Sequence, residues 1–258
     1  MSGQRLAFSA PDRDPAERAV LMIGFREKGY DGLQLKRMQY VDDVSEPGRF
    51  TERWGSTPGI ASGLITGGRL DAAGVADLQA VIRFGAAVGS ERVIFCHGEP
   101  RTEVDDDDIV AFSRTLAEIG RRARSLGVQL SLHHHYGQPV MYRSDFDRFF
   151  DGIDDGAVTL TVDTAHLVKS GITDIAEVIR CFGPRIDTIH IKDIAGAAFV
   201  PLGTGEIDFD PIFRALIDAA PTAWLCADEE SGADIVGAMT DCHRYMTMKL
   251  DDQTRSGV

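Results

Sequence analysis

Short apolar runs rich in β-branched and aromatic residues alternate along the chain with stretches whose apolar positions recur at helical spacing. Continuous apolar runs are typical of parallel strands buried on both faces, whereas the helical spacing is typical of amphipathic helices. The pattern therefore predicts repeated strand–helix units. The predicted strands occupy residues 5–9, 31–35, 60–66, 92–96, 128–132, 159–162, 186–191 and 223–227.

The strand signals alternate with helix signals, and no linker of biased composition divides the chain. A closed barrel of eight parallel strands, each followed by a helix, typically needs about 250 residues, and the chain has 258. We therefore predict an α/β fold with a single (β/α)8 TIM-barrel domain over residues 1–258. An open, doubly wound sheet is the alternative.

The first helix is predicted to begin after Asp14, which can cap it, with Pro15 at the first helical position. An apolar stripe along this helix is expected to pack on the rest of the fold. The stripe comprises Ala16, Ala19, Val20 and Ile23. The polar stretch at residues 37–58 is predicted to be a long loop with a short helix, and loops of this length often border a site.

The later strands turn abruptly polar where they end. The side chains at these exits are His133, Asp163, His190 and Asp228. In a parallel barrel the carboxyl ends of the strands meet at one rim, and neighbouring strands lie about 4.8 Å apart. A single Asp or His at a strand end usually caps a helix or makes a core hydrogen bond, but matching exits on successive strands predict a shared site. Two imidazoles and two carboxylates suit Mn, Co, Fe or Zn better than Mg or Ca.

Further polar residues follow the same exits. Because side chains alternate along a strand, His135 faces the same side as His133, and Lys192 faces the same side as His190. His135 and Lys192 are therefore candidates for proton transfer. Burial beside a metal is expected to disfavour the ammonium form of Lys192, which could then act as a base or polarise a carbonyl. His166 could contact a substrate oxygen or orient Asp163.

Three further candidates complete the predicted site. Glu230 shares the parity of Asp228 and joins the proton-transfer candidates. Lys36 and His97 close the second and fourth predicted strands and are candidates for substrate contacts. His134, by alternation, is expected to point outward and to be structural.

The charge balance narrows the class of partner. A formal net charge of −13 and a pI near 4.9 argue against nucleic-acid and anionic-membrane partners, which require clustered Lys and Arg. No apolar run is long enough to span a membrane. The four cysteines form no CxxC pair, which fits free thiols in a reducing cytoplasm. The sequence leaves the oligomeric state open, with a homo-oligomer as one alternative.

The motifs along most of the chain resemble those of the xylose isomerase-like TIM barrels, a family of sugar isomerases and epimerases that includes inosose dehydratases. The matching segments are Gly29–Leu35, Asp163–His166, His190–Asp193 and Pro201–Phe209. The triple histidine within Leu132–Gly137 is most similar to the inosose dehydratase branch. The resemblance implies a divalent metal and a keto-sugar or keto-cyclitol substrate that reacts through an enolate or enediolate.

The resemblance also shows two ligand changes. The family's strand-five carboxylate falls at His133, and its last Glu ligand is replaced by Asp228, so neither catalytic Glu of the epimerases is present. Two His and two Asp leave a divalent site near neutral, which preserves more Lewis acidity toward a carbonyl. The expected reaction is dehydration or isomerisation. The alternatives are a barrel that binds a sugar or partner without catalysis and, much less favoured by the acidic pI, a DNA-repair endonuclease of the same fold.

Overall fold

The computed structural model describes residues 4–55, 57–153 and 156–256, and within them eight parallel strands close into a barrel. The chain-order strands are β1 (Leu6–Ser9), β2 (Gly32–Leu35), β3 (Gly63–Gly68), β4 (Arg92–His97), β5 (Gln129–His133), β6 (Val158–Asp163), β7 (Ile186–Ile191), β8 (Asp193–Ala195), β9 (Ala198–Val200) and β10 (Trp224–Asp228). Strands β8 and β9 form a separate antiparallel hairpin, and β10 pairs with β1 and β7 to close the barrel.

Helices surround the barrel. They are α1 (Pro15–Gly24), α2 (Pro47–Trp54), α3 (Ala72–Val88), α4 (Asp106–Ser125), α5 (Arg143–Phe150), α6 (Thr164–Lys169), α7 (Ile175–Phe182), α8 (Asp210–Ala219) and α9 (Ile235–Ser256). The predicted (β/α)8 architecture is confirmed, and the open-sheet alternative is wrong because the ladder returns to β1. No helix of the described residues is both long and apolar enough to cross a membrane.

Three local features of the structure differ from the prediction: the start of one strand, a hairpin and a short helix. Strand β3 begins at Gly63 rather than Ile60, because Gly59 adopts a φ of +86° and residues 57–62 form hydrogen-bonded turns. The hairpin of β8 and β9 and the short helix α6 were not predicted. The loop over 37–58 does contain a short helix, α2, together with two 3₁₀ turns.

The apolar stripe predicted for α1 is also wrong. Val20 is 41% exposed and Ile23 is 72% exposed, whereas Leu21 and Met22 are buried. The cap is as predicted, since the Asp14 carboxylate accepts the N–H groups of Ala16 and Glu17. The helix therefore packs Leu21 and Met22 against the rest of the fold, and the predicted face lies toward solvent.

The main apolar core lies between the barrel wall and the helices, whereas the barrel interior combines a small apolar cluster of Ala7, Trp224 and Cys226 with polar side chains. Barrel interiors of this kind are commonly filled by Val, Ile and Leu. Here Ser131 Oγ lies 2.7 Å from Thr161 Oγ1 and 2.8 Å from Asp187 Oδ1. Because side chains alternate along a strand, the residues two positions beyond Ser131 and Thr161 face the interior at its carboxyl end. Those residues are His133 and Asp163.

Candidate active site

Two imidazoles and one carboxylate meet at the carboxyl end of the barrel. His133 Nε2 lies 3.1 Å from His190 Nδ1, and Asp163 Oδ2 lies 3.8 Å and 3.9 Å from these two nitrogens. All three side chains are buried, and their ligand atoms lie within 4.8 Å of one another. Ligand atoms around a tetrahedral ion with bonds of about 2.1 Å are separated by about 3.4 Å. These distances are close to that value.

Neighbours hold the outer atoms of His190 and Asp163, and this directs His190 Nδ1 and Asp163 Oδ2 toward His133 Nε2. The Nε2–H group of His190 donates to Gln34 Oε1 over 2.8 Å, which turns Nδ1 toward His133. Asp163 Oδ1 accepts the N–H group of His166 and caps α6. Asp163 Oδ2 is buried without a hydrogen-bond partner among the described residues. A donor set of two nitrogens and one carboxylate oxygen that accepts no hydrogen bond from the described part of the chain fits a borderline-soft divalent cation.

The protonation of the two imidazoles is unequal. Burial opposes protonation of His133, but Cys96 and Asp163 outweigh it and raise its pKa to about 10. Burial lowers the pKa of His190 to about 3. His133 therefore donates its Nε2–H to His190 Nδ1, and a divalent ion bound here would take the place of that shared proton.

Asp228 lies beside these three residues but is engaged by lysines. Its Oδ2 atom is 3.6 Å from His190 Nδ1, and it also accepts Lys192 Nζ at 2.6 Å. Its Oδ1 atom accepts Lys36 Nζ at 2.6 Å. The group of three ligand atoms within 4.8 Å does not include Asp228. Its role as a metal ligand stays a prediction.

Lys192 is a cation shared by three carboxylates. Its Nζ atom lies 2.9 Å from Glu230 Oε2 and 3.3 Å from Asp163 Oδ2, in addition to Asp228. Burial lowers the pKa of Lys192, but these carboxylates outweigh it and hold the pKa well above its usual range. The expectation of a disfavoured ammonium form is therefore wrong. Lys192 can donate a hydrogen bond to a substrate oxygen, but it is not available as a base.

His135 and His166 stand together at the edge of the site. Their ring centroids are 3.7 Å apart, and the ring centroids of His133 and His135 are 5.9 Å apart. Burial lowers the pKa of both rings, that of His166 to about 2. His135 Nδ1 bonds to the carbonyl oxygen of Tyr136 over 2.8 Å, so Nδ1 carries the hydrogen and Nε2 keeps a lone pair. His135 is thus a neutral base at neutral pH.

Neither His134 nor His97 joins the cluster. His134 Nε2 accepts the N–H group of Asp163 over 2.9 Å, in agreement with the predicted structural role. His97 packs its ring against Phe112 of α4, with centroids 4.5 Å apart, and its Nδ1 accepts the N–H group of Glu99. It lines a separate cavity of about 430 Å³ bordered by α4. Lys36, the other predicted substrate contact, does belong to the cluster and also bonds to Glu230 over 2.7 Å.

Two neighbours of the site were missed by sequence reasoning. Gln34 lies on β2 and faces the interior of the barrel. Its position two residues before Lys36 could have indicated this, because side chains two apart on a strand face the same side. Phe199 of the β8–β9 hairpin contacts His166, with ring centroids 5.5 Å apart, and lies 4.8 Å from Lys192 Nζ. The hairpin continues into a turn whose Gly203 and Gly205 N–H groups donate to the Asp193 carboxylate. No periodicity in this segment marks Phe199.

Comparison with known proteins agrees with this fold. Residues 26–241 match the family model described as "Xylose isomerase-like TIM barrel". A curated relative, the inosose dehydratase of Clostridium perfringens, is 31% identical over 179 residues, which cover 59% of this chain and 60% of the relative. The chain thus spans less than two thirds of the length of the curated relatives that it matches.

Solved structures share the fold at low sequence identity. The structure of an L-ribulose 3-epimerase superposes with a TM-score of 0.78 at 17% identity, and the match covers 98% of this chain and 97% of that one. The crystal structure of the IOLI protein with a bound zinc atom has a TM-score of 0.73 at 17% identity, and the match covers 97% of this chain and 99% of that one.

Proposed function

Because the chain belongs to the xylose isomerase-like TIM-barrel family, we propose that it is a metal-dependent enzyme that removes the proton next to the carbonyl of a keto-sugar or keto-cyclitol. The observation that carries this proposal is the convergence of His133 Nε2, His190 Nδ1 and Asp163 Oδ2 at one point of the rim. The substrate would be a small molecule, and the proposed location is the cytoplasm.

His133, Asp163 and His190 would hold the ion. A divalent ion there would supply Lewis acidity to a carbonyl oxygen and so stabilise an enolate. Zn, Co and Fe suit this donor set best, while Mn stays an alternative. The zinc atom in the IOLI protein structure supports an ion of this kind in the family fold.

His135 is the proposed base. Its Nε2 lone pair is free of the Tyr136 bond, and its lowered pKa keeps the ring neutral at neutral pH. In the proposed reaction the C–H bond next to the carbonyl breaks and its proton passes to His135 Nε2. The hydroxyl on the following carbon then leaves as water with that proton, so a hydroxyketone becomes an unsaturated ketone and water.

Lys192 and Glu230 would serve the substrate oxygens. Lys192 is an ammonium, so it can donate a hydrogen bond to an oxygen that gains negative charge. Glu230 is 30% exposed in its side chain and bonds to both Lys36 and Lys192, so it is the carboxylate of the network most open to a substrate hydroxyl. His166, buried against His135, would fix the orientation of the proposed base.

Dehydration of an inosose is the leading specific proposal. The curated relatives named inosose dehydratase and the triple histidine support it. Isomerisation or epimerisation shares the same proton removal and differs only in where the proton returns. The family's catalytic Glu pair is absent, and a barrel that binds sugars without catalysis is therefore the second candidate.

Proton exchange in D₂O tests the proposal directly. The chelated protein would be mixed with 2-keto-myo-inositol, with and without Co²⁺ or Mn²⁺, and followed by NMR. We expect loss of the signal of the proton next to the carbonyl, together with appearance of the unsaturated ketone, only when metal is added. Exchange that is equally fast after chelation would remove the metal from the mechanism. Binding without any exchange would favour the non-catalytic barrel.

The matched control is Lys169→Met. Lys169 Nζ lies 3.9 Å from the Phe199 ring centroid, close to the site, but makes no ion pair among the described residues. It should exchange protons like the unchanged protein, whereas Asp163→Asn should not.

A further inference from the structure

We propose that Lys192 selects which ions the site binds, because its ammonium group keeps Asp228 out of the ligand set. This inference rests on the proposed metal site. It goes beyond that site because it assigns metal selectivity to a residue that binds no metal.

The atoms in question lie next to one another. Asp228 Oδ2 is 3.6 Å from His190 Nδ1, a separation suited to two ligands of one ion, and Lys192 Nζ is 2.6 Å from that same oxygen. The other oxygen, Oδ1, is held by Lys36 at 2.6 Å. Asp228 is buried, so no solvent competes with these ion pairs. The ammonium of Lys192 therefore competes with an ion at the site for Asp228 Oδ2.

Lys192 is fixed where it lies. Its backbone N–H group donates to Thr164 Oγ1 over 2.9 Å, and its carbonyl oxygen accepts from the same hydroxyl over 2.6 Å. Glu230 Oε2 bonds to its Nζ atom at 2.9 Å, and the Phe199 ring lies on another side of it. The side chain is only 4% exposed. Withdrawal would break several charged contacts in a buried position, which is strongly unfavourable.

The consequence is a donor set rich in nitrogen. With Asp228 held by Lys192, the protein offers two imidazole nitrogens and one carboxylate oxygen. Such a set suits Zn and Co, whereas Mn and Mg prefer carboxylate oxygens. The positive charge 3.3 Å from Asp163 Oδ2 further weakens the oxygen part of the site. Lys192 should therefore disfavour Mn²⁺ more than Zn²⁺.

Equilibrium metal binding to the full chain tests this inference without reference to activity. Zn²⁺ and Mn²⁺ affinities would be measured by competition with a chelator for the unchanged protein, Lys192→Met and Lys169→Met. We expect Lys192→Met to bind Mn²⁺ about tenfold tighter, with a much smaller change for Zn²⁺. Lys169→Met removes an ammonium from the same Phe199 ring but touches no carboxylate of the site, so it should match the unchanged protein.

A second substitution identifies the responsible oxygen and keeps the test valid if Lys192→Met folds poorly. Asp228→Asn alone should leave Zn²⁺ affinity nearly unchanged, and in the Lys192→Met background it should abolish the gain in Mn²⁺ affinity. A Zn²⁺-binding Lys192→Met protein with an unchanged Zn²⁺ to Mn²⁺ preference would overturn the inference. A loss of Zn²⁺ affinity in Asp228→Asn as large as that in Asp163→Asn would overturn it too. If the unchanged protein bound neither ion, the proposed metal site itself would fail.

Discussion

The two ends of the barrel both carry buried charges, but these charges are arranged for opposite purposes. At the amino end Arg92 Nη1 donates to the Asp187 carbonyl oxygen and to Thr188 Oγ1, and it lies 3.2 Å from Asp187 Oδ2. The guanidinium also lies 5.7 Å from the Trp224 ring centroid. At this end the Arg92 guanidinium donates to acceptor groups, and the Asp187 carboxylate compensates its positive charge.

At the carboxyl end, by contrast, three potential ligand atoms face one point. The nitrogens of His133 and His190 are 3.1 Å apart, and the nearby Asp163 Oδ2 accepts no hydrogen bond among the described residues. Buried charge is therefore present both at the structural amino end of the barrel and at the candidate active site. What distinguishes the active end is that two imidazole nitrogens and a carboxylate oxygen converge on one centre.

The largest expected effect is loss of activity at the carboxyl end. Asp163→Asn keeps the oxygen that caps α6 but removes the charged ligand, so proton exchange should fall by about a thousandfold. The D₂O assay with added Co²⁺ measures this loss, and urea unfolding checks that the variant stays folded. Retention of full activity would show that the three atoms do not form the reacting centre.

The second effect lies at the amino end and concerns stability instead. Arg92→Met leaves Asp187 without its cationic partner, so the free energy of unfolding should fall by about 3 kcal/mol. Urea unfolding measures this loss, and zinc affinity serves as the control that should not change. If Arg92→Met weakened zinc affinity but left the free energy of unfolding unchanged, the amino end would not have the purely structural role that we assign to it.

The third effect is a pH dependence of stability that comes from the buried, neutral His134. Burial lowers the pKa of His134 to about 3, whereas the unfolded chain protonates the ring near its ordinary value. Between pH 6 and 4 the unfolded state therefore binds the extra proton, and acidification destabilises the fold.

His134→Gln should remove about 1.4 kcal/mol per pH unit from the slope of unfolding free energy against pH over that range. Urea unfolding at several pH values measures the slope. An unchanged slope would mean that His134 is already protonated in the folded protein.

The smallest effect is expected at His97, on the outer side of the barrel wall. Its neighbour Cys96 interacts with His133, so alternation turns His97 away from the site and toward Phe112. His97→Gln should change the kcat/KM of the proposed reaction by no more than about twofold. A loss comparable to that of Asp163→Asn would place the outer cavity in the substrate path.

The sequence predicts most of the barrel and the centre of the site because both follow from local rules. Alternation in parallel strands places His133, Asp163 and His190 on one rim, and no long-range information is needed. The strand-end position alone misleads at His97, because alternation gives this histidine the parity of the outer face. A polar residue at the end of a strand can face either the barrel interior or the surrounding helices. Which side it faces follows only from the parity of its neighbours along the strand.

Other features depend on contacts that no local pattern reports. The ammonium state of Lys192 follows from three carboxylates that approach it from β6 and from the end of β10. Phe199 reaches the site through a hairpin anchored by Asp193, and its short strands carry no periodic signal. The α1 stripe was misassigned because that helix has two apolar faces, and only packing decides which one is buried.

One crystallographic measurement tests the central claim most directly. Crystals grown with Co²⁺ would be examined for anomalous scattering above the cobalt edge. We predict one strong peak within about 2.3 Å of His133 Nε2, His190 Nδ1 and Asp163 Oδ2. A map whose only peaks lie elsewhere, such as in the cavity beside His97, would contradict the claim that these three residues bind the ion.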